Sequence, residues 1–336
     1  MASNKIDSEE AIIGAYFAPL AYGFPGAFAL EDDCAAITPP PGTDLIVTTD
    51  AVVANVHFFA GEDAGAIGWK ALAVNISDLV AKGAAPLAYV MSLAFPDAPE
   101  RSWLTRFAEG LRNAQQQFGC HLIGGDTDRT PGQLSVSITA FGTVPSGRML
   151  RRATARPGDL VYVSGTIGDA ALGLALRRDP GLCERWHLEP GACGRLEAAY
   201  LRPAPPVSLA RVLRTSADAA MDVSDGLVKD FGRMCRASGV GGVIEAERVP
   251  LSEPARFLVQ SGEASLAELL TGGEDYEALA AVAPQRAADF ERAAGAAGSP
   301  VTRIGEIAPV SSPVRIIDAA GNDLAVAKTG WDHFSA

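Results

Sequence analysis

Aspartates that follow apolar runs are the residues of this sequence with the clearest chemical potential. The first such run, Leu45 to Asp50, is apolar and β-branched and ends in Thr48, Thr49 and Asp50. It predicts a strand that is buried on both faces. Hydroxyl and carboxylate oxygens at its end are ligands that a hard cation such as Mg²⁺ requires. A strand running into an Asx or Ser/Thr turn is the alternative interpretation of this segment alone.

The same arrangement recurs along the chain. Aspartates are predicted where buried elements end, and this set comprises Asp33, Asp50, Asp78, Asp126, Asp222 and Asp225. Buried carboxylates without counterions would destabilise the fold, and Mg²⁺ ions would remove that conflict. Because the set lacks Cys and nearby His, it indicates metal–phosphate chemistry rather than zinc hydrolysis. A solvated loop at Asp33 and a carboxylate at the rim of the core at Asp78 remain open alternatives.

Two glycine pairs precede acidic residues. Gly124-Gly125-Asp126 and Gly272-Gly273-Glu274 predict turns where backbone can approach a ligand closely and free N–H groups can meet phosphate oxygens. One basic group comprises four arginines that lie close together in the chain: Arg148, Arg151, Arg152 and Arg156. An arginine there could bind a nucleotide phosphate with both arms of its guanidinium, although four solvated linker arginines are the alternative.

Familiar nucleotide-binding and hydrolase motifs are missing from the sequence. There is no GxxxxGK[ST] loop, no complete GxGxxG fingerprint and no nucleophile elbow. Lys229-Asp230-Phe231-Gly232 contains a DFG tripeptide, but no glycine-rich loop or HRD loop accompanies it. A protein-kinase interpretation is therefore rejected.

Composition excludes several classes of partner. The net charge of −12 argues against nucleic acid and anionic membranes, which need a basic face. The five cysteines are scattered without a CxxC pair, so we expect neither a zinc site nor a disulfide framework. The N-terminus is polar and unlike a signal peptide, and no apolar run approaches membrane-spanning length. A reducing cytoplasm is the expected compartment.

The elements that must position these residues alternate between strands and helices, which predicts α/β layers. A composition break at Pro145-Ser146-Gly147 predicts two domains, residues 1–146 and 147–336. The clearest predicted elements are a helix from Ser8, helices Ala64–Lys82 and Ser102–Phe118, and strands Pro86–Phe95, Leu134–Val144, Leu160–Ser164 and Ala278–Val282.

The ordered motifs resemble the thiamine-monophosphate kinase family of the aminoimidazole-ribonucleotide synthetase-like superfamily. The resemblance extends from Ser8 to Phe334. It is carried by Asp32-Asp33-Cys34-Ala35, Thr48-Thr49-Asp50, Val56-His57-Phe58, Ala73-Val74-Asn75-Ile76-Ser77-Asp78, Gly124-Gly125-Asp126, Met221-Asp222-Val223-Ser224-Asp225-Gly226-Leu227, Gly273-Glu274-Asp275-Tyr276 and Gly330-Trp331. It implies two superfamily domains, an N-terminal mixed sheet with helices that binds ATP and Mg²⁺, and a C-terminal α/β domain that completes the nucleotide and substrate site.

The resemblance also implies an activity and residue roles. The activity is Mg²⁺-dependent, direct in-line transfer of the ATP γ-phosphoryl group onto thiamine monophosphate. Several Mg²⁺ ions would be held by Asp33, Thr48, Thr49, Asp50, Asp78, Asp126, Asp222 and Asp225. Nucleotide contacts would come from Gly125, Asp126, Arg152 and Ser224, and substrate contacts from His57, Glu274 and Trp331. The family resemblance further implies a homodimer that pairs through the N-terminal sheets.

Two departures from the family pattern accompany the resemblance. Glu31 stands where the family has glycine, and no aromatic residue lies near Ala108 where some relatives present a tyrosine to the nucleotide. We therefore expect no adenine-stacking residue there. An aminoimidazole-ribonucleotide synthetase, or a protein that only binds nucleotide or thiamine phosphates, is the alternative function.

Overall fold

A computed structural model describes residues 8–331 of the chain. The polar N-terminus up to residue 7 and the end of the family resemblance, which extends to Phe334, lie outside the described residues. Contacts divide the chain into two units. The first comprises the described residues up to Leu79 together with Ala84–Arg148, and the second comprises Val80–Gly83 and the described residues from Met149 onward.

The first unit is built on a four-stranded mixed sheet. Its elements are α1 (Glu9–Ile12), β1 (Thr43–Val53), α2 (Ala64–Ala81), β2 (Ala85–Phe95), α3 (Arg101–Phe118), β3 (His121–Arg129) and β4 (Ser135–Pro145). The strand order is β1-β4-β2-β3, with β2 and β3 parallel and the other pairs antiparallel. The N-terminal mixed sheet implied by the family is therefore confirmed.

Helices cover one face of this sheet. In β4, Val136, Ile138 and Ala140 are fully buried while the intervening residues are half-buried, which is the alternation predicted for this strand. Helices α2 and α3 approach each other closely, because a Cβ added at Gly110 would lie 2.0 Å from the Gly65 carbonyl oxygen. Glycine at this crossing allows the two helices to pack as one layer on the sheet.

The prediction that β1 is buried on both faces is wrong. Leu45 and Val47 are 36% and 55% exposed, because their side chains lie on the face of the sheet that the helices leave uncovered. Asp50 and Asp126 do not stand at strand ends either. Strand β1 continues to Val53, and β3 runs through the predicted Gly-Gly turn, with Asp126 paired to Ser92. A Cβ at Gly125 would lie 1.9 Å from the Met91 carbonyl oxygen, so glycine serves close strand packing there.

The second unit contains a six-stranded sheet in the order β10-β7-β9-β5-β8-β6. Only β10 and β7 are parallel. Its strands are β5 (Leu160–Ser164), β6 (Ala219–Val223), β7 (Gly241–Glu245), β8 (Glu277–Val282), β9 (Val301–Ala308) and β10 (Val314–Ile317). Its helices are α4 (Asp169–Arg178), α5 (Leu182–Arg185), α6 (Pro190–Leu201), α7 (Ala210–Ser216), α8 (Leu227–Ser238), α9 (Glu253–Ser261), α10 (Leu266–Thr271) and α11 (Ala287–Ala296).

One apolar face of α8 completes the core of this unit. Phe231, Met234 and Cys235 are fully buried and lie in one cluster with Val161 and Leu279 of the sheet. These positions recur at helical spacing on one side of α8, so the helix axis is set by hydrophobic burial. The opposite side of α8 is left to carry polar residues.

A disulfide corrects the expectation drawn from the cysteine spacing. Cys183 of α5 and Cys193 of α6 are bonded, and their Cα atoms are 6.0 Å apart. Two successive short helices fold back and bring together cysteines that no CxxC pattern relates. The free thiols are exposed Cys34 and buried Cys120 and Cys235. Within residues 8–331, no helix combines the length and the apolar character needed to cross a membrane.

Candidate functional site

Predicted ligand residues of β1 meet α2 on the helix-covered face of the first sheet. The Thr48 hydroxyl donates to Asp78 Oδ2 at 2.5 Å. The Asp50 amide donates to Oδ1 of Asn75 at 2.9 Å, and the fully buried Asn75 in turn donates to the Asp50 carbonyl at 3.5 Å. These bonds hold Thr48, Asp50 and Asp78 in one oxygen-rich group.

Thr49 lies apart from this group. Its hydroxyl donates to the Ile138 carbonyl at 3.1 Å and accepts from the Thr139 hydroxyl at 3.1 Å. Successive side chains of a strand point to opposite faces, so the sheet separates the Thr49 side chain from those of Thr48 and Asp50. The predicted metal-binding role of Thr49 stays a prediction.

Burial of the six aspartates differs from the sequence interpretation. Asp33, Asp50 and Asp126 are exposed, Asp78 and Asp225 are partly buried, and only Asp222 counts as buried, at 9% exposure. The argument that unpaired buried acids demand cations therefore fails for three of them, because water solvates exposed carboxylates. Among residues 8–331, no three His, Cys, Asp or Glu residues are arranged as a metal-binding group.

A cavity of about 370 Å³ in the first unit joins two of the predicted motifs. Asp32, Asp33 and Cys34 line one edge, and Gly125 and Asp126 of β3 line another. The remaining wall is apolar and includes Ile13, Phe17, Leu30, Leu122 and Ile123. The cavity thus combines an acidic, glycine-containing edge with an apolar wall, which suits a ligand that has both a charged and a ring-like part.

The segment leading into this cavity is strained. Phe28, Ala29 and Leu30 have φ values of 50°, 57° and 61°, and Leu30 lines the cavity. Each non-glycine residue in this left-handed region costs roughly 1–2 kcal/mol. Strain of this kind clusters at ligand sites. No sequence signal marked these residues, because none of them is glycine or asparagine.

His57 lies just beyond the end of β1 and is bonded back to its last residue. Its Nδ1 accepts the Val53 amide at 3.0 Å, and its carbonyl accepts a hydrogen bond from Lys70 Nζ at 3.0 Å. An Nδ1 that accepts leaves the proton of the neutral ring on Nε2, which is therefore a donor. Lys70 is 2% exposed within the largely apolar helix α2, and the sequence analysis did not identify it.

Predicted residues of the second unit converge on one turn. The amide of Glu274 donates to the Ser224 carbonyl at 2.7 Å, and the amide of Trp331 donates to the Asp225 carbonyl at 2.9 Å. Asp222 lies on β6 immediately before this turn. A Cβ at Gly330 would lie 2.4 Å from the Asp225 carbonyl oxygen, so glycine permits the close approach of the two segments.

Helix α8 supports this turn with residues that the sequence analysis did not assign to the site. Asp230 is fully buried and accepts the backbone amides of Ser224 and Asp225. Burial raises the pKa of Asp230, and the Asp225 amide and Arg233 oppose that rise. Lys229 pairs with Asp225 at 3.2 Å and also donates to the Trp331 carbonyl.

Arg152 is exposed, and its backbone is fastened to the end of α8. The Ser238 hydroxyl donates to the Arg152 carbonyl at 3.0 Å. This bond positions the chain around Arg152 relative to the helix that also supports the Ser224–Asp225 turn. The contact of the Arg152 guanidinium with nucleotide stays a prediction.

Asp275 and Glu277 form a second acidic group in this unit, which the sequence analysis did not predict. Asp275 Oδ1 accepts the Gly168 amide at 2.8 Å, and the Ser164 hydroxyl donates to Glu277. Burial raises the pKa of Glu277 to about 7 and that of Asp275 well above its ordinary value. Both residues line a cavity of about 250 Å³ with Asp169. The Gly-Gly-Glu motif predicted a role for Glu274 only, and no sequence pattern indicated one for Asp275 or Glu277.

Comparisons with known proteins agree with this architecture. The family models for AIR synthase related protein match residues 31–144 as the N-terminal domain and residues 156–318 as the C-terminal domain. The thiamine-monophosphate kinase of Caulobacter vibrioides is 40% identical over 321 residues, which cover 94% of this chain and 88% of that protein.

Solved structures of thiamine-monophosphate kinases are also similar to this chain. A crystal structure of thiamine-monophosphate kinase from Stenotrophomonas maltophilia is 37% identical with a TM-score of 0.78, covering 88% of this chain and 91% of that one. AaThiL complexed with AMPPCP and TMP is 31% identical with a TM-score of 0.75, covering 88% of this chain and 89% of that one. The chain therefore belongs to the thiamine-monophosphate kinase family and has the two-domain fold of AIR synthase related proteins.

Proposed function

We propose that this chain transfers the γ-phosphoryl group of ATP to thiamine monophosphate in a Mg²⁺-dependent, direct in-line step that yields thiamine diphosphate and ADP. Membership of the kinase family supports ATP as co-substrate, and the complex of AaThiL with AMPPCP and TMP supports the acceptor. The observation that carries the proposal for this chain is the cavity whose acidic edge, Asp33 and Asp126, adjoins an apolar wall.

The donor atoms fit the proposed cation. Thr48, Asp50 and Asp78 supply only oxygen atoms, which suit a hard ion, and we propose that they hold Mg²⁺ together with Thr49, Asp33, Asp126, Asp222 and Asp225. When bound, Mg²⁺ would neutralise the charge of the phosphate groups. Buried Asn75 accepts the Asp50 amide and donates to the Ala71 carbonyl, which holds the β1 backbone at Asp50 against α2.

The remaining residues bind and orient the reactants. Gly125 leaves backbone accessible beside Asp126, and Arg152 and Ser224 are proposed nucleotide contacts. His57 is proposed to donate from Nε2 to a phosphate oxygen, which its Nδ1 bond to Val53 favours. Glu274 and Trp331 are proposed to bind the thiamine rings, and the aromatic side chain of Trp331, which is 48% exposed, is proposed to stack on one of them. Because an acceptor phosphate oxygen is already ionised at neutral pH, no general base is needed.

We also propose a role for each domain, a homodimer and a cellular compartment. Residues 1–146 would carry ATP, Mg²⁺ and dimer contacts, and residues 147–336 the other nucleotide and substrate contacts. The open face of the first sheet, with Leu45 and Val47 exposed, supports a homodimer, because exposed apolar surface marks sites of protein association. A cytoplasmic location stays a prediction.

The test is formation of thiamine diphosphate from thiamine monophosphate, ATP and Mg²⁺ by wild type, Asp50→Asn and the control Asp44→Asn. Asp44 lies on the same strand outside the proposed ligand set and accepts the Gly147 amide at 2.7 Å. We expect Mg²⁺-dependent turnover that collapses only in Asp50→Asn. Equal activity of both variants would refute the metal-binding assignment.

Other outcomes separate the alternatives. ADP release with a formylglycinamidine ribonucleotide, but not with thiamine monophosphate, would indicate an aminoimidazole-ribonucleotide synthetase. Binding without ATP consumption would indicate a non-catalytic protein. Radiolabelled protein recovered after incubation with γ-labelled ATP alone would contradict direct transfer.

A further inference from the structure

Asp230, which belongs to the DFG tripeptide of α8, divides its two carboxylate oxygens between different partners. Oδ2 accepts the amides of Ser224 and Asp225 at 3.1 and 2.9 Å. Oδ1 accepts a hydrogen bond from Arg233 at 2.9 Å. The side chain is fully buried, and hydrogen bonds to a buried charge are stronger than those between neutral groups. Asp230 is therefore a fixed internal anion beneath the turn.

The two amides that Asp230 accepts are consecutive in the chain. Consecutive backbone N–H groups directed at one point form a concavity that binds anions. The Asp230 carboxylate fills that concavity from within the protein, so these two amides do not serve a phosphate. The turn can therefore meet a nucleotide through its side chains, and the Asp225 side chain is 22% exposed whereas that of Asp230 is wholly buried.

Arg233 links the buried carboxylate to the exposed one. Its guanidinium is 2.9 Å from Asp230 Oδ1 and 2.6 Å from Asp225 Oδ2. A planar guanidinium with fixed donor directions sets the separation of two carboxylates that share it. Lys229 adds a second cation at 3.2 Å from Asp225 Oδ2. Asp225 is therefore balanced by two cations of α8, one of which it shares.

We infer that Asp230 is a positioning residue of the nucleotide site, which orders the Ser224–Asp225 turn and, by sharing Arg233, leaves Asp225 able to accept a metal ion. The inference rests on the proposed function, in which Asp225 and Ser224 contact Mg²⁺ and nucleotide. Without the charge of Asp230, Arg233 pairs with Asp225 alone, and a cation must compete with the full strength of that pair.

The test compares Asp230→Asn with Asp159→Asn. Asparagine keeps an oxygen that can accept the two amides but removes the charge that holds Arg233. Asp159 is a matched control, because it is also a buried aspartate of the second unit, at 4% exposure. It accepts the Arg156 amide at 2.8 Å and has no bond to the Ser224–Asp225 turn among those that fix that turn. Calorimetry measures binding of a nonhydrolysable ATP analogue across a Mg²⁺ titration, at a temperature where circular dichroism shows every protein folded.

We expect Asp230→Asn to weaken analogue binding by about 10–100-fold and to raise the Mg²⁺ concentration at half-saturation, as is usual when a residue that orients metal ligands is lost. Asp159→Asn should leave the affinity for the analogue and its Mg²⁺ dependence unchanged. Should Asp230→Asn fail to fold, Arg233→Lys replaces it, because lysine keeps the charge but cannot span both carboxylates. This variant should also bind the analogue more weakly.

Unchanged affinity and Mg²⁺ dependence in the folded variants would overturn the inference, as would an equal loss in Asp159→Asn. Wild-type protein that binds the analogue but forms no thiamine diphosphate would refute the proposed function and leave this inference supported by its own binding data. Wild-type protein that binds no analogue at any Mg²⁺ concentration would overturn both.

Discussion

Replacing Glu277 with glutamine should stabilise the protein at alkaline pH. The carboxylate of Glu277 packs against Gly165, where an added Cβ would lie 1.9 Å from Oε1. Ser164 donates one hydrogen bond to it, and the nearby Asp169 charge opposes its ionisation. Burial is the main reason that the pKa of Glu277 rises from 4.5 to about 7. Ionising this residue in the folded protein is therefore costly.

The sign and size of the effect follow from this pKa. A folded-state pKa above the unfolded value favours the folded state below about pH 4.5, and this contribution is lost as pH rises through about 7. A difference of about 2.5 pKa units corresponds to about 3 kcal/mol, at 1.36 kcal/mol per unit. Glutamine is neutral at every pH and keeps an oxygen that accepts the Ser164 hydroxyl, so Glu277→Gln removes most of this loss.

The assay is urea unfolding followed by circular dichroism at several pH values between about 5 and 8. The free energy of unfolding of Glu277→Gln relative to wild type should rise by up to about 3 kcal/mol as pH increases from about 4.5 to about 7, and should level off at higher pH. The control is Glu263→Gln, an exposed glutamate, whose difference from wild type should stay constant. A Glu277→Gln difference that is also independent of pH would refute the reasoning.

Three further predictions concern cysteines and the open sheet. Cys34 is exposed and lines the first-unit cavity, so Mg²⁺ and ATP should slow its alkylation at least severalfold, and alkylation at an unchanged rate would contradict nucleotide binding there. Reducing Cys183–Cys193 opens a loop with a sequence separation of 10 and should lower the free energy of unfolding by about 3 kcal/mol in urea titrations, whereas Cys34→Ser should not. Val47→Asp should shift a dimer toward monomer in sedimentation experiments, and an unchanged mass would place the dimer contact elsewhere.

Much of the local structure was predictable from the sequence. Helices Ala64–Ala81 and Arg101–Phe118 lie within one residue of the predicted bounds, because a helical apolar stripe and the stop at Gly83 act within a few residues of the chain. The alternation of β4 likewise follows from a two-residue period. The ordered motifs identified the family, and the comparisons confirmed it.

Contacts between residues far apart in the sequence could not be predicted from local sequence patterns. A sequence run cannot indicate that one face of β1 stays uncovered, which is why Val47 is exposed. Nor can spacing indicate that α5 and α6 bring Cys183 to Cys193. Both depend on which elements pack together, a property of the whole fold.

The sequence by itself determined the family, the long helices and several strands, and the residue types available for phosphate and metal chemistry. Only the tertiary structure decided how those residues are supported. Asp78 accepts a hydrogen bond from Thr48, and Asp230 accepts the Asp225 amide. The Glu277 carboxylate packs directly against Gly165. The physical reason is that hydrophobic periodicity acts along the chain, whereas burial, hydrogen bonding and charge pairing depend on distances between residues far apart in sequence.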